Sequence, residues 1–166
     1  MSGTQRVLAR LALTALLLVG GGLLVLTDRA AHAPAAANHA LTDSEQTRQV
    51  IGDVSDALAA VFTYTPNDLA TTERRARDVL RGTAAKDYRN LIGKLRRQVR
   101  TQKLSLTTQV VRAGVVDLTG DRAQLLVFLD QRAEREGAKA TTAAAQLSVR
   151  AHLDDGRWVI TDIKAR

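Results

Sequence analysis

Leu11 to Thr27 contains no charged residue, and this stretch constrains the chain more than any other. Its core reads Leu11-Ala12-Leu13-Thr14-Ala15-Leu16-Leu17-Leu18-Val19-Gly20-Gly21-Gly22-Leu23-Leu24-Val25-Leu26. A helix counted from Val7 to Leu26, with Arg10 snorkelling, spans roughly 30 Å, the thickness of a bilayer core. A buried soluble helix does not fit, because a soluble helix needs a polar face and none recurs over these turns. Arg6 and Arg10 precede the run, whereas Asp28 and Arg29 behind it cancel. The positive-inside rule then keeps residues 1–10 in the cytoplasm and sends everything after Thr27 outside. The segment 11–27 reads as an uncleaved transmembrane anchor. The alternative is a secretory signal cleaved at Ala31-His32-Ala33, an A-x-A site. Both readings place the rest of the chain outside the cytoplasm.

That topology narrows the partners. A net charge of +7 favours anionic surfaces in general, but an extracytoplasmic position removes nucleic acid. The absence of cysteine removes disulfides, thiolate metal sites and cysteine nucleophiles. Residues 28–41 form an Ala-rich linker with Pro34 and no hydrophobic period, which reads as a tether. His32 and His39 sit in it with no other ligand type nearby, so they read as solvated, with no metal implied.

A domain spanning 42–166 follows. Thr42 and Glu45 have capping-box spacing. Val50, Ile51, Val54, Leu58, Val61 and Phe62 then recur on one helical face. Pro66 stops that helix, and Asn67 or Asp68 can cap a second from Leu69 to Leu80, ended by Gly82. Thr83 can cap a third, with Tyr88, Leu91, Ile92, Leu95 and Val99 as its apolar stripe. From Leu104 the period becomes two. The spacing predicts strands over Ser105–Leu118, Arg122–Arg132, Ala143–Leu153 and Arg157–Ile163, with turns at Thr119-Gly120-Asp121 and Asp154-Asp155-Gly156. Leu125-Leu126-Val127-Phe128-Leu129 is apolar on both faces, which predicts cover on both sides. Helices followed by strands indicate an α+β fold: three helices on a curved four-stranded antiparallel sheet, a cone, behind a single N-terminal transmembrane helix.

Several stretches carry a resemblance. Phe62-Thr63-Tyr64 with Leu69, Ala76, Leu80-Arg81-Gly82 and Tyr88 form one group. The strand at Ala113-Gly114-Val115, the run from Ala123 to Gln131 and the closing Asp155-Gly156-Arg157-Trp158 complete the set. In this order, behind a membrane anchor, they resemble the actinobacterial Mce-associated membrane proteins over about residues 7 to 166. The resemblance implies a cone domain of the nuclear-transport-factor-2-like type. It also implies an accessory role in Mce lipid-import systems of the cell envelope, and it supplies no catalytic residues.

The residues themselves offer little chemistry. Tyr64, Tyr88, Asp130 and His152 are the groups comparable to those of a cone-cavity isomerase, and each has a structural explanation. Tyr64 can anchor a helix corner, Tyr88 lies on an apolar stripe, Asp130 ends a strand, and His152 is on a polar strand face. No nucleophile triad, phosphate loop or ligand-spaced cluster occurs, so no enzyme and no cofactor is expected. The strongest surface feature is basic. Lys94, Arg96, Arg97, Arg100 and Lys103 fall within ten residues with no acid among them. They suit anionic lipid headgroups, at roughly 1 kcal/mol per basic residue near a charged membrane, or an acidic protein partner. The expectation is a non-enzymatic accessory or scaffold subunit of an Mce-type lipid-import complex, in contact with the cell membrane and the transporter subunits. A lipid- or steroid-binding domain is the second reading, and an isomerase- or dehydratase-like enzyme the third.

The topology is testable in intact cells. Single cysteines at Ser44 and Asp155 should react with a membrane-impermeant maleimide before lysis. Reaction only after lysis would place the domain in the cytoplasm.

Overall fold

The computed structural model describes residues 43–166. The segment 1–42, including the expected anchor and Thr42, lies outside the described residues. Three helices come first: α1 (Ser44–Phe62), α2 (Leu69–Val79) and α3 (Gly82–Thr101). Four strands follow: β1 (Ser105–Thr119), β2 (Arg122–Glu134), β3 (Thr141–Asp154) and β4 (Arg157–Ala165). They form one antiparallel sheet in the order β1-β2-β3-β4. Among the described residues no helix is long and apolar enough to cross a membrane.

Helix α1 holds the centre. Its cap is Asp43, whose Oδ1 accepts from the Gln46 amide at 2.9 Å. The apolar stripe Val50, Val54, Leu58 and Val61 is completely buried. It packs on β1 and β4, the two edge strands. A helix can touch both edges of one sheet only if the sheet curls around it. Three irregularities supply the curl. β1 carries an extra residue between Val110 and Arg112 and another between Val115 and Asp117, and the β3–β4 register shifts at Arg150/Ala151. Bulges bend a strand and increase its local twist.

Two of the three hairpins, β1–β2 and β3–β4, take the expected turns. Asp155 and Gly156 both have positive φ, 48° and 78°, the signature of a type I′ turn between right-twisted strands. Gly120, at φ 58°, opens the β1–β2 turn. Helix α1 grips both turns from its polar side. Gln46 Nε2 donates to the Gly120 carbonyl (3.1 Å) and Gln49 Nε2 to the Gly156 carbonyl (2.9 Å).

Several sequence expectations are corrected. The connection between α2 and α3 is not a glycine C-cap. Leu80 and Arg81 are extended, Leu80 bridges to Ile160, and the Arg81 amide donates to the Ile160 carbonyl at 2.8 Å. Gly82 instead opens α3 with φ 53°, where a Cβ would meet the Thr161 carbonyl oxygen at 3.3 Å. No side chain caps α3, whose N-cap is Arg81, so Thr83 is not its cap. Leu91 is 43% exposed and stands off the apolar stripe, while Tyr88, Ile92 and Val99 are buried on it. The outer face of β2 is only partly covered: Leu125, Val127 and Leu129 are buried on the inner face, but Leu126 is half-buried and Phe128 is 39% exposed.

Trp158 sits in the core at 2% exposure, and its backbone amide donates to Asp53 Oδ2 at 2.9 Å. In a chain with 3% aromatic residues no other ring can replace it. Trp158→Ala should therefore destabilise the domain by about 3–5 kcal/mol. Urea denaturation followed by circular dichroism checks this, and a native-like midpoint would refute the core role.

Candidate functional site

The basic residues singled out in the sequence fall on one side of the molecule, along α3 and just past its end. Lys94, Arg96, Arg97 and Arg100 are all exposed on the helix. Lys103 lies beyond it. The helix closes with the Leu104 amide donating to the Val99 carbonyl at 3.0 Å while Lys103 adopts φ 48°, a Schellman-type end with lysine in the position glycine usually takes.

The absence of acids from this sequence run does not survive folding. Arg96 Nη2 reaches both carboxylate oxygens of Glu73 on α2, at 2.8 and 2.9 Å. Lys103 Nζ pairs with Glu136 in the β2–β3 loop. Such partly exposed pairs contribute little stability, but they occupy the charge. Lys94, Arg97 and Arg100 have no acidic partner among the described residues. The free part of the basic face is therefore these three residues and their helical neighbours.

Folding also creates a feature the sequence did not announce. A groove of about 670 Å³ runs between α2 and α3. Ala76, Leu80, Ala85, Tyr88 and Ile92 line it, and Arg77, Arg81, Arg89 and Arg96 surround them, with Glu73 as the acid. Arg81 is already engaged: its Nη1 donates to the carbonyls of Arg77, Asp78 and Leu80, and its Nη2 stands 3.5 Å from Asp154 Oδ2. Arg77 and Arg89 are exposed and make no ion pair among the described residues. The (i, i+4) spacing of Arg77 and Arg81 is a usable signal, but which helix they would face is not.

Tyr88 is the unusual member. It is 7% exposed, meets the Phe62 ring edge-on at 6.4 Å between centroids, and its hydroxyl is buried with no hydrogen-bond partner. Burial first, then the nearby Glu73 carboxylate and Tyr64, push the phenol up to about 12. It is thus a neutral donor throughout the physiological range.

The remaining candidate catalytic groups do not form a shared pocket with it in the manner of a cone-cavity enzyme. Asp130 is exposed on β2, on the side opposite the buried Leu129. His152 Nδ1 lies 3.6 Å from Asp121 Oδ2 near the β1–β2 turn. Tyr64 is buried, and its phenol is raised by desolvation. It does anchor its corner, but through the backbone: its amide and carbonyl pair with those of Leu106, both at 2.9 Å. The space between α1 and the sheet is filled by fully buried Leu58, Leu125, Val127, Val149 and Ile160.

The sequence matches no established family profile. It is 33% identical over 122 residues to an uncharacterized protein found in Mycobacterium tuberculosis strains CDC 1551/Oshkosh and H37Rv. That match covers 72% of this chain, and this chain spans 56% of the length of those relatives. Among solved structures, a periplasmic fragment of TraM superposes with a TM-score of 0.63 at 12% identity, covering 72% of this chain and 96% of that one. VirB8 of Agrobacterium tumefaciens gives 0.59 at 11% identity, over 74% and 93%. A hexachlorocyclohexane dehydrochlorinase gives 0.53 at 10% identity, over 73% and 84%. The described domain therefore has the cone fold of the nuclear-transport-factor-2-like type, which the TraM and VirB8 domains share with a dehydrochlorinase.

Removing the orphan hydroxyl should help the fold. Tyr88→Phe should raise stability at pH 7 by about 1–3 kcal/mol, the desolvation cost of an unsatisfied buried polar group. The pH dependence has a definite sign. A phenol raised in the folded state adds stability that is present below the unfolded value of 10. That stability is lost as pH rises through about 12, so Tyr88→Phe should also flatten the alkaline loss of stability. Urea titrations at pH 7 and in the alkaline range measure both.

Proposed function

We propose that this protein is a non-enzymatic accessory or scaffold subunit of a membrane complex, with its cone domain outside the cytoplasm, and that the complex is an Mce-type lipid importer of the cell envelope. The observation that carries the reading is the filled cone. An enzyme or steroid carrier of this fold needs room between helix and sheet for its substrate. Here that space is taken by side chains with no exposure, from Val54 and Leu58 on α1 to Leu125, Val127 and Ile160 on the sheet. What the domain offers to other molecules lies on its outside: the charges of α3 and the partly exposed outer face of β2.

The fold comparison supports the assembly role in general terms. The TraM fragment of this fold is periplasmic, and CagV of Helicobacter pylori, a VirB8 homolog of the same fold, belongs to a type IV secretion system; a chain with this fold and an apolar N-terminal segment suits a similar post at a membrane. The resemblance of the ordered set from Phe62 to Trp158 to Mce-associated proteins supplies the finer identity, with transporter subunits and the cell membrane as partners. Anionic lipid is a further contact open to Lys94, Arg97 and Arg100.

Two measurements on the full chain test this reading. Cross-linking in native membranes followed by affinity purification should recover Mce-type transporter subunits in stoichiometric amounts. Recovery of an unrelated complex in their place would overturn the assignment. The triple reversal Lys94→Glu, Arg97→Glu and Arg100→Glu should leave the melting curve intact, because none of the three is ion-paired. It should weaken association with the complex or with anionic vesicles, and wild-type association should fall as salt rises, since exposed charges are screened over about 10 Å at 0.1 M. Association unchanged by both salt and reversal would move the contact surface to the sheet.

A further inference from the structure

We infer that the groove between α2 and α3 is a binding site for a single-chain anionic amphiphile, a long alkyl chain ending in a carboxylate or a phosphate. The site is independent of the scaffold reading and lies outside the filled cone.

Three features of the groove select this chemistry. The first is its apolar lining. Ala76, Leu80 and Ile92 turn buried surface toward the groove, and Ala85 is partly open. Small residues at positions 76 and 85 keep the two helices from filling the space between them. At about 670 Å³ the groove is in the range of small-molecule sites. On α3 it extends from Gly82 to Arg96, roughly 20 Å of helix, which suits an extended chain better than a compact ring.

The second feature is charge. Four arginines face one glutamate around the groove. Glu73 is held by Arg96, and Arg81 is turned to backbone carbonyls. This leaves Arg77 and Arg89 as uncommitted guanidiniums. Guanidinium pairs carboxylate or phosphate oxygens through parallel N–H donors, stronger than neutral hydrogen bonds.

The third feature is the Tyr88 hydroxyl. Tyr88 is among the residues lining the groove and is more than nine-tenths buried, and its hydroxyl, closed to solvent, has no partner among the described residues. Buried polar groups are ordinarily satisfied, and an exception asks for an explanation. An anionic head between the arginines becomes an acceptor for this neutral phenol once the side chains that close over the hydroxyl give way. The carboxylate that could otherwise accept from it, Glu73, is occupied by Arg96. A folded acidic peptide would meet the arginines but would set polar side chains on the apolar lining of Ala76, Leu80, Ala85 and Ile92. The amphiphile meets all three features at once.

The test uses the full chain in phosphatidylcholine nanodiscs, with empty discs subtracted and a dansyl-labelled undecanoate as the probe. Binding should be saturable. Palmitate and hexadecyl phosphate should compete and hexadecanol should not, and the stronger competitor of the two identifies the head. Arg77→Glu with Arg89→Glu should weaken binding by about tenfold or more, the scale of a lost charge-assisted hydrogen bond. Tyr88→Phe should weaken it severalfold while the domain stays folded, and Ala85→Trp should abolish it by filling the groove. Arg135→Glu with Lys139→Glu, exposed in the β2–β3 loop and outside the groove, should bind as wild type. Non-saturable uptake, equal displacement by hexadecanol, or affinity unchanged in the arginine and tyrosine variants would overturn the site. Saturable binding of a fluorescently labelled acidic helical peptide by a protein that does not bind the alkyl probe saturably would make the groove a protein dock and also overturn it. Recovery of the transporter complex with the Arg77→Glu, Arg89→Glu variant is read separately, so failure of the groove and failure of the scaffold assignment are distinguishable.

Discussion

Val50, Val54, Leu58 and Val61 present one stripe of α1 to a sheet that closes around it, and the rest of the domain depends on that burial. Each of the four is fully buried. Burying such a side chain contributes about 1.5–3 kcal/mol. The stripe is long enough to serve both edge strands, so the sheet gains apolar contact by curling instead of lying flat. Bulges in β1 let it do so. The polar side of α1 fixes the register of the seat: Gln46 and Gln49 reach the hairpin turns, and Asp53 holds the Trp158 amide. A shift of α1 by one turn would leave these backbone groups unpaired as well as mismatching the core.

The consequence for function is that the interior is used up. With few aromatic side chains available, Leu, Val and Ile from α1 and the sheet pack into the hollow where other cone domains keep a cavity. The groove that folding leaves open lies on the exterior, between α2 and α3. Helix α3 packs on β4, and the extended Leu80-Arg81 pair that joins the two helices runs alongside Ile160. They meet each other through small residues, a buried tyrosine and one ion pair. That junction concentrates positive charge beside an apolar lining. The charge of α3 and the groove are therefore two parts of one surface, the first long-ranged and screened by salt, the second short-ranged and dependent on shape.

Tyr88 shows how stability and recognition pull apart here. Its ring packs well against Phe62 and the core. Its hydroxyl has no partner among the described residues, a destabilising arrangement that Phe would avoid. Trp158 Nε1 is likewise buried without a partner, but its ring is a central core element and its backbone is firmly tied to Asp53.

The order of three helices and four strands was legible in the sequence because periodicity is a local signal. A 3.6-residue stripe on α1 and strict alternation through Leu147, Val149 and Ala151 report which face is buried without reference to partners. The two glycine turns were legible because only certain residues accept positive φ cheaply. The groove was not legible, because its arginines come from two helices whose facing sides depend on how the Leu80-Arg81 connection docks on β4. The bulges left no mark either, since Val111 and Val116 are ordinary strand residues and their extra backbone length is accommodated only by the partner strand. The run from Lys94 to Lys103 was visible as charge, yet Glu73 and Glu136, remote in sequence, decide which of its members remain free. Local pattern thus determined the elements and their buried faces. Only the tertiary structure decided what the outer faces hold, because ion pairing, groove shape and the fate of the Tyr88 hydroxyl depend on residues that meet only after α1 is seated in the sheet.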